Sequence, residues 1–155
     1  MPVLLHQLVT PNIISLSYRL RYVFDIIWII YHIISVSWVV EIGDEFVLEF
    51  DALHGNVRTE ILALSRLLQR FGPQLGRPRV DTLKGSRHPN MKELRFSAAG
   101  GEWRVAFAFD PRRRAILLMA ADKSGTSERR FYRRLIRTAD DRFDAHLARQ
   151  RKKGG

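Results

Sequence analysis

The segment KELRFSAAGGEWRVAFAF, residues 92–109, constrains this chain more than any other. Two runs with a period of two flank Gly100-Gly101, which predicts a β-hairpin with a two-residue glycine turn. In that register Ala98 opposes Trp103, Phe96 opposes Val105 and Leu94 opposes Phe107, making one apolar face. Arg95, Ser97, Arg104 and Ala106 take the other face. Two arginines are costly inside a core and useful on an anion-binding surface, because guanidinium groups grip phosphate oxygens in pairs. Their face is therefore expected to stay partly open and cationic. The competing use of both is pairing with Glu93 or Glu102 on a solvated sheet.

The flanking elements follow from the same reasoning. DPRR (110–113) reads as a turn with Pro111 at its second position, and AILLMAA (115–121) as a central strand, apolar on both faces. A four-residue connection puts residues 115, 117, 119, 121 and 123 on the arginine face, with Lys123 projecting from the strand end. Upstream, SWVVEIG (37–43) predicts a first strand, and Asp44 the N-cap of a short helix carrying Phe46, Phe50 and Leu53. Val57, Ile61, Leu64, Leu68 and Phe71 recur at helical spacing, so this stripe is read as core, stopped by Gly72-Pro73. SERRFYRRLIR (127–137) and ADDRFDAHLAR (139–149) read as two short helices before a frayed basic end. The order β-α-α-β-β-β-α predicts an α+β fold: a small, mainly antiparallel sheet with two N-terminal helices on one face and a C-terminal helix.

Charge separates the chain into unlike parts. Residues 1–71 hold five Lys and Arg against seven Asp and Glu, while residues 72–155 hold 21 against nine. The net charge of +10 thus resides wholly in the second part, which favours a polyanionic partner such as nucleic acid. The absence of cysteine excludes disulfides and thiol chemistry, and a cytoplasmic location is expected. Residues 26–40 form an uncharged apolar run of 15, shorter than the ~18–20 residues of a membrane span. That run could be a weak anchor, an added helix or a stretch the domain does not need. The last is favoured: residues 1–36 are read as an apolar extension, 37–149 as the domain and 150–155 as a basic tail, with membrane association not expected.

An open cationic face can cut RNA without metal. The 2′-oxygen must lose a proton, the phosphorane charge must be stabilised and the 5′-oxygen must gain a proton. Arginine answers the second need, and Glu, His, Tyr or a depressed Lys the others. Arg95, Arg104, Lys123, Tyr132 and Glu93 are the candidate catalytic residues. Lys84, Arg87, His88, Lys92, Arg129, Arg130 and Arg133 are the candidate RNA-binding set. The blander readings are a turn residue for His88, a packed ring for Tyr132 and an ordinary strand-end charge for Lys123. Arg95→Ala and Arg104→Ala are expected to leave the fold intact, whereas Trp103→Ala should damage the core. No phosphate-loop, dinucleotide, HExxH or GxSxG pattern occurs, and the five histidines lack ligand spacing, so no metal or cofactor is expected.

LKGSRHPNMKELRF, EWRVAFAFD and AILLMAADKSG followed by a basic helix, in this order and spacing, resemble the RelE/HigB superfamily of type II toxins. The phage-derived, HigB-like branch is the nearer one, over roughly residues 37–147. The resemblance implies a RelE-like fold and an mRNA endoribonuclease that acts on ribosome-bound message and is held inactive by a cognate antitoxin. That antitoxin is typically a helix-turn-helix protein, and operator DNA is bound through the complex. Arg95 and Arg104 match strand residues that contact the scissile phosphate. Lys123 matches the cation after the last strand, Tyr132 the C-terminal aromatic, and Lys84 and Lys92 the basic approach to the hairpin. Glu93 stands where a lysine can stand, and no histidine follows the tyrosine. The superfamily also contains ParE-like gyrase poisons, which cut no RNA. That activity and a non-catalytic RNA-binding module are the alternatives.

Overall fold

The computed structural model describes residues 21–30 and 37–154. The chain divides into two compact units, Met1–Val36 and Ser37–Gly155. In the first unit residues 21–30 are helical and expose Tyr22, Phe24, Ile27 and Trp28. Residues 31–36 of the apolar run, and residues 1–20, lie outside the described residues. Among the described residues no helix is long and apolar enough to cross a membrane.

The second unit is an α+β fold. Strands β1 (Val39–Ile42), β2 (Val80–Thr82), β3 (Met91–Ala98), β4 (Gly101–Phe109) and β5 (Arg114–Asp122) form one sheet in the order β1-β5-β4-β3-β2. Only β1 and β5 run parallel, so the sheet is mainly antiparallel, as expected. Helices α1 (Val47–Ala52) and α2 (Gly55–Phe71) cover one face, where Phe46, Phe50, Val57, Ile61, Leu64 and Leu68 pack on Leu94, Phe96, Val105 and Phe107. Phe71 leaves the predicted stripe: it is exposed, with the Arg70 guanidinium 5.4 Å from its ring centre. Asp44 does not cap α1; Phe46 holds the N-cap position, and Asp44 pairs with Arg149 instead.

Four further differences from the sequence reading matter for the site. The hairpin turn sits on Ala99 and Gly100, both with positive φ, so the pairs are Ala98 with Gly101, Phe96 with Trp103 and Leu94 with Val105. Gly101 belongs to the strand, and the position requires glycine because a Cβ there would lie 2.5 Å from the Asp122 carboxylate, which accepts the Glu102 N–H. The slip is two residues, so every side chain keeps its predicted face.

In β5, by contrast, Ala106 pairs with Met119 but Phe107 pairs with Leu117, leaving Leu118 as the extra residue of a β-bulge. The bulge reverses the alternation. Met119 and Ala121 share the face of Arg104, as expected, but Ala115 and Leu117 join the opposite core. The third difference is β2, a three-residue edge strand too short to show a period.

The fourth is the C-terminal segment. A single helix, α3 (Glu128–Lys153), replaces the two short helices, since no Gly or Pro interrupts it. It continues through 150–153, where Gln150 donates to the Asp110 carboxylate. Phe131, Leu135, Ala139 and Phe143 of α3 pack on Met91, Ala106, Ala108, Ile116 and Leu118. The second sheet face is thus a core over most of its length, not an open floor. Polar side chains gather at its two ends: Arg114, Glu41 and Asp110 near the end of α3, and a second group at the far end, by the start of α3.

Candidate active site

At that end β3 and β4 present three cross-strand rows: Glu93 beside Ala106, Arg95 beside Arg104, and Ser97 beside Glu102. Ala106 marks the edge of the α3 core, and the two outer rows are polar. The first turns of α3 bring Tyr132 over this corner, where its hydroxyl donates to Glu93 Oε1 at 3.1 Å. The same oxygen stands 3.8 Å from Arg95 Nε and 3.9 Å from Arg104 Nε. Glu93 Oε2 and Arg104 Nε are buried with no hydrogen-bond partner.

The two arginines differ in access. The Arg104 side chain is 7% exposed, and Nη1 donates to the Trp103 carbonyl at 2.8 Å. Arg95 is 34% exposed and faces Asp81 Oδ2 at 3.4 Å, an oxygen that Arg77 also holds at 2.6 Å. Arg104 is therefore not the solvent-facing charge the alternation suggested. Trp103 is half-buried on the α2 side, as its parity predicts, with its indole N–H donated to the Ala98 carbonyl.

Lys123 reaches the corner from the end of β5. Its backbone N–H donates to the Glu102 carbonyl at 2.8 Å, and its ammonium pairs with Glu128 at 2.8 Å while lying 5.3 Å from the Tyr132 ring centre. Arg95, Arg104, Ser97 and Glu102 line an open groove of about 370 Å³ with Pro78, Arg79 and Phe96. Burial pushes the Glu93 carboxyl above its ordinary value, although Tyr132 and both arginines pull the other way. The Thr82 N–H and Arg77 hold Asp81 below its ordinary value, and Lys123 does the same for Glu128.

The five candidate catalytic residues thus lie together, but the candidate RNA-binding residues scatter. Lys92 shares the face of Leu94 and Phe96, one step out of phase with Arg95. Arg87 is tied to Asp141 and Asp144 of α3, and His88 to Asp144 at 2.8 Å with its ring edge-on to Phe143. Ser86 donates to buried Asp140, and so does the Arg87 N–H; the loop is fastened to the helix rather than offered to a ligand. Lys84 is exposed in that loop, and Arg129 and Arg133 are exposed on either side of Tyr132 on α3. Arg130 belongs to a different groove, alongside Arg134, Trp103 and Leu53.

Sequence reasoning missed Asp81, Arg77 and Glu128. Asp81 lies in the short edge strand, whose only signal is Val80 ahead of the polar turn. Glu128 could have been found as the single acid in the first turn of a basic helix. Among the described residues no three His, Asp or Glu side chains converge to hold a metal ion. Chemically, the corner combines two guanidinium groups, an ammonium, a hydroxyl and a carboxyl of raised proton affinity. Groups of these kinds can bind an anion and exchange protons beside it.

Residues 48–144 match the family described as phage derived protein Gp49-like. The chain is 40% identical over 130 residues to a Mycobacterium tuberculosis protein named as toxin HigB2, covering 77% of this chain and 64% of that protein. It is 44% identical over 99 residues to one named as toxin HigB3 from the same organism, covering 64% of this chain and 84% of that protein. The chain therefore spans just under two thirds of the first relative's length. Among solved structures, an arginine-to-alanine double mutant of the E. coli toxin RelE in the free state aligns with a TM-score of 0.45 at 12% identity. That alignment covers 64% of this chain and 94% of that one. The resemblance read from KELRF, EWRVAFAFD and the DKSG strand end is borne out by the family match.

Proposed function

From the premise that this chain belongs to the phage-derived Gp49-like family of HigB/RelE-like toxins, we propose that it is the toxin of a toxin–antitoxin pair, acting as an mRNA endoribonuclease. The observation that carries the catalytic part is the Arg95–Arg104 row above the Tyr132–Glu93 hydrogen bond.

A phosphodiester entering the groove exchanges with Asp81 for Arg95 and with Glu128 for Lys123. Arg95 contacts the phosphate oxygens directly, and Arg104 adds its charge from beneath. Tyr132 accepts the proton of the 2′-hydroxyl while passing its own to Glu93, whose raised proton affinity makes the carboxylate a stronger base. The 2′-oxygen attacks phosphorus, the bond to the 5′-oxygen breaks, and Lys123 protonates that oxygen. The products are a 2′,3′-cyclic phosphate and a 5′-hydroxyl, with no metal required. The message is taken on the ribosome, and a helix-turn-helix antitoxin holds the toxin inactive and carries the complex to operator DNA.

The test is cell-free translation with the purified full chain, read by primer extension on the message. Discrete cuts that need ribosomes and disappear with Arg95→Ala are the expected result. Intact message from folded protein overturns the reading, and gyrase-dependent DNA breaks under the same conditions would install the ParE-like one.

A further inference from the structure

β5 is nine residues long, but its neighbour β1 covers only part of it. The parallel pairing runs from Val39 opposite Arg114 to Ile42 opposite Leu117, and Gly43 then turns away after donating its N–H to the Leu117 carbonyl. The Leu118 carbonyl is taken by Arg142. From Met119 to Asp122 no strand pairs with β5 on the side away from β4 among the described residues. A partly paired edge of this kind presents a row of backbone donors and acceptors at strand spacing.

The same stretch forms the wall of a groove of about 340 Å³. Its two rims differ in chemistry. On the α1 side stand Leu53 and Trp103; on the α3 side stand Arg130 and Arg134, with Phe131 and Leu135 beneath them. Arg130 and Arg134 are exposed and have no ion-pair partner among the described residues, unlike Arg87, Arg114, Arg142 and Arg149 elsewhere in the unit. Asp122, the acid in the groove, is occupied by the N–H groups of Glu102 and Ser124.

We infer that this edge is a docking site for an extended acidic segment of a partner protein, which adds to the sheet beside Met119–Asp122 in continuation of β1. The spacing fits. Residues two apart on a strand are about 6.6–6.8 Å apart, and Arg130 and Arg134, one helical turn apart, present Cβ atoms about 5–6 Å apart. Alternate side chains of an added strand point to opposite sheet faces. Carboxylates at every second position meet the two arginines on the α3 face. The residues between them turn to Leu53 and Trp103 on the α1 face, so the fitting segment alternates acidic and apolar residues. Backbone pairing supplies affinity and the two rims supply selectivity, as in other strand-addition interfaces. The inference is independent of RNA cleavage, because the groove shares no residue with the Glu93–Tyr132 corner.

The test uses the full chain and fluorescein-labelled acetylated peptides alternating glutamate and valine, followed by anisotropy. Three controls run beside them: a lysine-for-glutamate peptide, a peptide N-methylated at the backbone positions that face β5, and the double variant Arg130→Ala, Arg134→Ala. The expected result is saturable binding that weakens at least tenfold in the double variant, with its circular dichroism unchanged, and at least tenfold on N-methylation. The lysine peptide should not bind. Equal binding of the N-methylated peptide would reduce the contact to charge attraction and overturn strand addition. Equal binding by the double variant, or no saturation at millimolar peptide, overturns the site itself.

Discussion

Replacing Arg104 by methionine probes the corner where the charge arithmetic is tightest. Methionine keeps an unbranched stem in a site that is 7% exposed and removes the guanidinium. The hydrogen bond lost is the one to the Trp103 carbonyl, and bonds to charged groups contribute about 1.5–3 kcal/mol. Glu93 also loses one of its two neighbouring positive charges while its Oε2 already lacks a partner. Breaking a buried pair by removing one member costs about 3–5 kcal/mol. The Glu93–Arg104 separation of 3.9 Å is long, and Arg95 remains, so the lower end of about 3 kcal/mol is expected. Adding Glu93→Gln removes the stranded charge and should recover about 1–2 kcal/mol, a coupling normal for residues in contact. Urea denaturation of wild type, both single variants and the double variant, followed by far-UV circular dichroism near neutral pH, closes the cycle. A cost below about 1 kcal/mol for Arg104→Met would refute the reasoning. So would a double variant as unstable as the two single effects summed.

Glu93 should also leave a mark on pH dependence. Its folded proton affinity is raised above the unfolded value near 4.5, so its contribution to stability is complete below that pH and is lost as pH rises through the folded value. The Tm of wild type minus that of Glu93→Gln should therefore fall across this window; a flat or rising difference contradicts it. Arg95→Ala should lower the single-turnover cleavage rate by about 10²–10³ with little change in Tm, since loss of one transition-state donor has that effect. A rate within threefold of wild type would remove Arg95 from the chemistry. Asp110 lies fully buried in the β4–β5 turn. Burial opposes its ionisation, but N–H groups of Arg114 together with His146 and Gln150 outweigh this and hold it below its ordinary value. Asp110→Ala should cost about 3–5 kcal/mol near neutral pH. The wild-type advantage should shrink as pH falls through the depressed folded value, and a loss under about 1 kcal/mol, or one independent of pH, would contradict the account.

Alternation and helical spacing were legible wherever one element packed against a single apolar surface. Val57, Ile61, Leu64 and Leu68 are buried at the spacing that predicts them, and Arg95 and Arg104 share a face despite the slipped turn. Period-two patterning survives a two-residue shift, which is why the catalytic candidates could be grouped before any contact was known. Lys92 was legible by the same rule, since its parity already placed it with Leu94 and not with Arg95.

What only the tertiary structure decided depends on contacts between residues distant in sequence. Local pattern carries no sign of the Leu118 bulge, which sends Ala115 and Leu117 to one core and Met119 to the other. It carries none of the 54-residue separation between Ser86 and Asp140, which fixes the loop that was read as an RNA contact. The length of α3 was decided the same way. A helix of mean composition this polar is held by Phe131, Leu135, Ala139 and Phe143 lying on the sheet, and that packing turned an expected open floor into a second core. The burial of Arg104 beside Glu93 follows from it. A sequence states which side chains share a face; what covers that face is set by the chain returning to it.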